Sequence, residues 1–375
     1  MPDIARGWAL GFIAIANIML YVHGREYGLR QRVVPEMPAD QVVTFLTVAL
    51  VDARVYPLFA LLLGYGVARQ LATRDRGVVQ WRGIGLILFG AVHGILLFAG
   101  DVLALYGVLT LVLIPLGRVS GRVLILAAAI LLVPTALIQG VAFAEVGPTL
   151  QRSVFWSIGI ANPVEALAWR PLEWIMGFAG MLGVVPAALL GLWAGRRDLL
   201  ARRAPSNTWC WTLGAVGIAI AFIGGTPAAL VAAGFAITTT WPGGVAFSVL
   251  HVATGLFAGL GYLLITLVVC RSRRFVTSRT ALVLSSVGQR SLTCYLLQSL
   301  IMVPLLPAWT LAFGAELDAT HALLTALLAY AITVVVALTL RRHGNSKPAE
   351  RLLRRIALRG RSVRPEGESE LPLQT

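Results

Sequence analysis

Charged side chains are scarce in this sequence. Of its 375 residues only 13% are Asp, Glu, Lys or Arg, while 58% are hydrophobic. A soluble domain carries about 25% charged residues, so the deficit excludes an ordinary water-solvated fold. Acids are scarcer than bases, 17 against 31. Cysteine is limited to Cys210, Cys270 and Cys294, all in or near apolar runs, which excludes a disulfide framework. There is no Walker-type loop, no CxxC and no long alternating strand, so a nucleotide cradle, a thiol metal knuckle and a membrane β-barrel are excluded too. No metal ligand set is expected.

Apolar runs long enough to span the hydrocarbon as helices are what the sequence does have, since about 20 residues suffice. Ten are expected: Gly7–His23, Ala49–Gln70, Gly83–Gly100, Val102–Leu116, Arg122–Ala144, Pro171–Ala194, Trp209–Gly234, Ala246–Cys270, Ala281–Leu305 and His321–Leu340. Arg6 ahead of the first run mimics a secretory leader, but Asn17 interrupts the run and no small-residue cleavage site follows cleanly. That run reads as a retained first span.

Charge sets the direction. Basic residues gather in alternate loops: Arg69, Arg74, Arg76 and Arg82; Arg118 and Arg122; Arg196, Arg197, Arg202 and Arg203; Arg271, Arg273, Arg274 and Arg279; and nine more after Leu340. The intervening loops hold only Arg25, Arg30, Arg32, Arg152 and Arg170, mixed with acids. Cytosolic loops are rich in Lys and Arg because these charges resist translocation. The expected fold is therefore an all-α polytopic integral membrane protein with about ten transmembrane helices, both termini in the cytosol, no soluble domain, and a place in the bacterial inner membrane. The same placement accounts for the net charge of +14 without nucleic acid.

Residues 1–343 form one membrane domain in this reading, and 344–375 a tail. The long outer segments, Gly24 to about Val48 and Glu145–Arg170, each have room for a short interfacial helix, with Trp156, Trp169 and Trp174 at headgroup level. In the tail, Pro348–Leu358 places Leu352, Leu353 and Ile356 on one side of a helix and arginines on the other, which suits anionic inner-leaflet lipids. From Ser362 on, Pro, Glu and Ser predict disorder. The lipid bilayer is the expected partner, and a homo-oligomer stays open.

Polar groups in hydrocarbon cost several kcal/mol unless paired. Asn17 in the first span, Asp52 and Arg54 in the second, His93 in the third, Asp101 after it and Gln298 in the ninth are such groups, and most fall in the outer half. His93 and Asp101 are eight residues apart, about 12 Å of helical rise, so contact requires a broken helix. Asp52 reaching His93 from the next helix is the expected pairing. Each has a structural alternative: Asn17, Gln298 and Tyr295 as helix–helix hydrogen bonds, Asp101 as a helix-start cap, Asp52 and Arg54 as an ion pair with other groups. His251 and His321 are expected near the outer surface, solvated. Gly224-Gly225 followed by Pro227 predicts a bend or an end in its helix.

Four segments in order resemble the bacterial YeiB family of uncharacterised membrane proteins. They are Asp3-Ile-Ala-Arg-Gly7 with Asn17, Pro57-Leu-Phe-Ala-Leu-Leu-Leu-Gly-Tyr-Gly66, His93 with Gly100-Asp-Val-Leu-Ala-Leu-Tyr106, and Gly288-Gln-Arg-Ser-Leu-Thr-Cys-Tyr-Leu-Leu-Gln-Ser299. Pro348-Ala-Glu-Arg-Leu-Leu-Arg354 is similar to that family's ending. Ala60 stands where the family has serine, so no hydroxyl acts there. The family is distantly similar to transmembrane acyltransferases such as heparan-α-glucosaminide N-acetyltransferase, which use cytosolic acyl-CoA to modify an acceptor on the far side. Gly28 stands where those enzymes carry their catalytic histidine, so His93 or His23 would take the role.

The resemblance implies acyl transfer with no tightly bound cofactor and with acyl-CoA as co-substrate. His93 would be general base, Asn17 would orient the acyl carbonyl, Asp52 or Arg54 would place the acceptor beside Asp101, Tyr106 and Gln298, and Arg82 would meet CoA phosphates. A transporter of a small anionic or amphipathic compound, with Arg54 near its path, and a non-catalytic membrane partner are the alternatives.

Overall fold

A computed structural model of the chain describes residues 1–144, 149, 150, 152–201, 204–235, 239–344 and 346–360. Arg202, Arg203, Asn345 and the segment from Ser362 on lie outside the described residues. The helices are α1 (Pro2–Ile18), α2 (Pro38–Leu50), α3 (Val55–Leu71), α4 (Arg76–Leu96), α5 (Leu103–Leu116), α6 (Gly121–Ala142), α7 (Pro163–Ala179), α8 (Val185–Arg196), α9 (Asn207–Ala232), α10 (Trp241–Val269), α11 (Arg273–Val276), α12 (Arg279–Gly288), α13 (Ser291–Met302), α14 (Ala319–Arg342) and α15 (Pro348–Leu358). Among the described residues there is no strand, only isolated bridges from Tyr27 to Val33 and Thr149.

The helix starts follow local chemistry. Proline occupies the first turn of α2, α7, α10 and α15, where its missing N–H costs nothing. Ser120, Ser206 and Ser278 cap α6, α9 and α12 with their hydroxyls. Among the described residues, seven helical stretches are long and apolar enough to cross a membrane: Pro38–Leu71, Arg76–Leu96, Gly121–Ala142, Pro163–Arg196, Asn207–Ala232, Trp241–Val269 and Ala319–Arg342. Leu103–Leu116 and Ser291–Met302 are shorter apolar helices.

Arg6 of α1 and Glu350 of α15 line one cleft, so both described chain ends lie on one face of the bundle, the near face. Small residues set the closest crossings. Gly7 on α1 rests on the Leu284 carbonyl of α12, and Gly288 on the Asp3 carbonyl; a Cβ at either would collide with backbone. Gly64 on α3 and Gly191 on α8 do the same for that pair.

Three interruptions carry the chemistry. The first, at residues 51–54, divides the stretch Pro38–Leu71, and Ala53 there takes φ 56°. Backbone freed at membrane depth needs partners. Tyr262 donates to the Leu50 carbonyl at 2.6 Å and Arg54 to that of Asp52 at 2.8 Å. The second follows α4, where Arg170 donates to the Leu96 carbonyl at 2.9 Å and rests over the Trp309 ring. The third separates α12 from α13. Glu350 of α15 accepts from the Leu292 and Thr293 amides at 2.9 and 3.0 Å, a carboxylate at a helix N-terminus.

Two expectations change here. The glycines before Pro227 do not end α9, which runs on through them. They make room: a Cβ at Gly225 would strike the Arg54 guanidinium, and one at Gly224 would strike Thr254. The tail helix forms as predicted, but Leu353 and Ile356 pack onto Gly85 of α4, so its apolar side faces protein. Leu352 alone of the three stays exposed.

Candidate functional site

The first loop folds back into the bundle on the far face. Arg30 and Gln31 both adopt positive φ, 63° and 54°, a strained pair of the kind that clusters at functional sites. The reversal buries Arg30 and Arg32 against Asp52. Arg30 Nε donates to Asp52 Oδ2 at 2.9 Å, and Arg32 Nη2 lies 3.5 Å from Oδ1. His251 Nε2 lies 3.4 Å from the same carboxylate, and Arg54 Nη1 is 2.9 Å from His251 Nδ1. The same Nη1 also lies 2.7 Å from His251 Nε2, so the guanidinium has both ring nitrogens within reach. Arg54 also donates to the Ala221 carbonyl at 2.8 Å. Arg30, Arg32 and Asp52, with Asn17, Tyr56 and Gln139, line a cavity of ≈ 60 Å³.

Deeper in the bundle, His93 bridges two side chains. Its Nδ1 lies 2.8 Å from Asp101 Oδ1 and its Nε2 2.8 Å from Ser299 Oγ. The carboxylate only accepts, so Nδ1 carries the hydrogen, and in the neutral imidazole Nε2 then accepts the serine proton. All three side chains are buried, with exposures of 1% for His93, 0% for Asp101 and 5% for Ser299. Asp101 Oδ2 also accepts the Ala104 amide at 2.9 Å, which fixes the carboxylate at the start of α5. The arrangement has the logic of an activated hydroxyl: nucleophile, base and a carboxylate that orients the base.

On the near face a larger cleft of ≈ 200 Å³ opens between α1, α3, α4, α5, α13 and α15. Arg6 and Arg82 stand in it with Glu350, Leu10, Phe59 and Leu86 among its apolar and polar walls. Tyr106 and Tyr295 also line it. Tyr295 lies with its ring 5.1 Å from that of His93. Tyr106 donates to the Tyr56 carbonyl at 3.1 Å, and Tyr56 to Asn17 Oδ1 at 2.6 Å, on the wall of the far cavity. A layer of tyrosines thus separates the two cavities. Gly100 lines the far one and Val102 the near one, with Asp101 between them.

The expected site residues divide accordingly. Asn17 and Asp52 line the far cavity, and Arg82 and Tyr106 the near cleft. His93 and Asp101 do touch, contrary to expectation, because α4 ends at Leu96 and the chain doubles back before α5. Asp52 pairs with arginines and His251, not with His93. Asp52 and Arg54 are not helical neighbours, since both sit in the interruption before α3. Arg54 is wholly buried and lines neither cavity. Gln298 donates to the Leu10 carbonyl at 3.1 Å, joining α13 to α1, and lines neither cavity. His251 is buried rather than solvated, while His321 is exposed. His23 sits in the far-face loop, 3.1 Å from the Leu306 carbonyl and away from both cavities. Burial lowers its pKa below the ordinary histidine value; the Leu306 carbonyl opposes this, and Arg152 adds to it.

Sequence reasoning overlooked Ser299, Arg30, Arg32 and His251. Ser299 closes a quoted motif but carries no charge to flag it. Arg30-Gln31-Arg32 had one signal: a basic pair in a loop that the charge alternation leaves poor in bases.

Residues 194–360 match the model of a family described as a protein of unknown function (DUF418). The match runs from the end of α8 to the end of α15 and includes Ser299, but not His93 or Asp101. An uncharacterised family is what the sequence resemblance led us to expect, and its description says nothing of acyl transfer. No curated protein matches the chain.

Proposed function

We propose that this chain is a bacterial inner-membrane acyltransferase that crosses the bilayer ten times with both termini in the cytosol. The seven long helices, the two shorter apolar ones and α1 would supply the crossings. The near face would then be cytosolic, in keeping with its arginines. The observation that carries the reading is the Asp101–His93–Ser299 chain, whose imidazole lies 5.1 Å from the ring of Tyr295, a wall of the cleft that holds Arg6 and Arg82.

An acyl-CoA enters the cleft with its acyl chain among Leu10, Phe59 and Leu86 and its phosphates toward Arg6 and Arg82. Ser299 Oγ attacks the thioester carbonyl, and its proton passes to His93 Nε2. Collapse of the adduct breaks the C–S bond, and His93 returns the proton to the CoA sulfur. Asp101 steadies the imidazolium through Nδ1–H. The acyl group rests on Ser299 as an ester. An acceptor hydroxyl or amine from the far side then attacks that ester, His93 takes its proton, and Ser299 Oγ receives the proton as it leaves.

The test uses purified full-length chain in nanodiscs with radiolabelled acyl-CoAs from acetyl to palmitoyl. Wild type is expected to release CoA and to carry a hydroxylamine-labile label on Ser299. Ser299→Ala should carry no label, and His93→Ala should slow labelling about 10³-fold. No CoA release from wild type at millimolar donor sinks the reading. A second reading, transport, draws on the two cavities on opposite faces of one septum. Proteoliposomes that take up an anionic compound unmodified, and acylate nothing, favour it instead.

A further inference from the structure

We infer that the far cavity is a binding site for an oxyanion, a carboxylate or phosphate group, held chiefly by Arg32. The first ground is charge. Arg30 and Arg32 line the cavity with Asp52, the single carboxylate in contact with them among the described residues. Behind them lie two more buried guanidiniums. Arg54 is held by His251 and by backbone carbonyls, and Arg152 donates to the Val22 carbonyl at 3.0 Å and stacks over the Tyr27 ring. No carboxylate touches either of them among the described residues. Buried charge of one sign is costly and calls for a counter-charge. Burial lowers the pKa of Arg152, Tyr27 opposes this, and Arg32 adds a smaller push in the same direction as burial.

The second ground is an unfilled set of donors. Arg32 is 4% exposed, and its Nε and Nη1 have no hydrogen-bond partner among the described residues. Buried donors in native proteins are nearly always paired. A planar guanidinium with open donors is matched by an anion rich in acceptor oxygens. The cavity that Arg32 lines has a volume of ≈ 60 Å³, room for a small group. Asn17 and Tyr56 line it from the septum side.

The site stands apart from acyl transfer, because the charge and the open donors persist if no acyl group moves. If both hold, the acceptor is an anionic compound.

The experiment measures the thermal midpoint of full-length chain in phosphatidylcholine nanodiscs against inorganic phosphate, against acetate, and with phosphatidylglycerol added to the bilayer. A saturable rise with a free anion identifies a soluble oxyanion, and a rise with phosphatidylglycerol alone identifies a lipid headgroup. Either supports the site, provided binding weakens about tenfold or more in Arg32→Gln, as expected on losing a charge-assisted contact. The same probes should protect Arg32 of wild type from phenylglyoxal, read by mass spectrometry, which keeps the test decisive if Arg32→Gln misfolds. No rise with any probe, a rise matched by sodium chloride at equal ionic strength, or unchanged Arg32 modification overturns the inference.

Discussion

Arginine stands on both sides of the tyrosine layer, in different bonding states. In the near cleft Arg6 reaches only Asp3, at 3.5 Å, and no hydrogen bond or ion pair of Arg82 is found among the described residues. In the far half Arg30 and Arg54 are tied to Asp52, His251 and backbone carbonyls. Removing one partner of a buried ion pair leaves the other uncompensated, whereas a partly exposed pair such as Arg6–Asp3 is screened by water. The far cluster therefore holds the fold, and the near pair is available to a ligand. Arg32 belongs to the far cluster by position and resembles the near pair in its open donors.

The sharpest test lies between the two halves. Asp101→Asn keeps the shape of the carboxylate but lets His93 adopt the wrong tautomer, and acyl transfer should fall about 10³- to 10⁴-fold. Arg82→Gln should instead raise the KM for acyl-CoA and leave the thermal midpoint nearly unchanged.

The contrast in stability comes next. Asp52→Asn strands Arg30 and Arg32 and should cost about 3–5 kcal/mol, seen as a large drop in the unfolding midpoint. A similar loss in Arg82→Gln would erase the distinction between the halves. Gly225→Ala drives a methyl group into Arg54 and should cost about 1–3 kcal/mol.

Smallest is the pH response of the far loop. Because the folded state lowers the pKa of His23, its contribution is complete above the unfolded value, about 6.5, and is lost as pH falls toward the folded one. The midpoint should decline between pH 7 and 5, and less so in His23→Gln. An unchanged decline in that variant assigns the response to another group.

Much of the fold was legible because a membrane span is a local property. Twenty apolar residues in a row declare themselves, and the caps at Ser120, Ser206 and Ser278 need only their own first turns. The site was legible in part. His93, Asp101, Asn17 and Asp52 stand out as polar groups in apolar runs. Their pairing did not, since helical spacing forbids His93 from meeting Asp101, and only the break after Leu96 permits it. Ser299 and His251 lie 206 and 197 residues from the groups they touch, a separation no local pattern encodes.

By itself, the sequence determined that this is a helical chain rich in membrane-length spans, that polar groups such as Asn17, His93 and Asp101 interrupt its apolar runs, and where its basic residues gather. Those follow from hydropathy and charge, which act residue by residue. The tertiary structure decided which buried groups answer one another. It closed the Asp101–His93–Ser299 chain, turned Arg30 and Arg32 inward onto Asp52, and placed a tyrosine layer between two cavities. A buried polar group is stabilised by whichever complement the packing of distant helices brings within about 3 Å, and that choice belongs to the bundle as a whole.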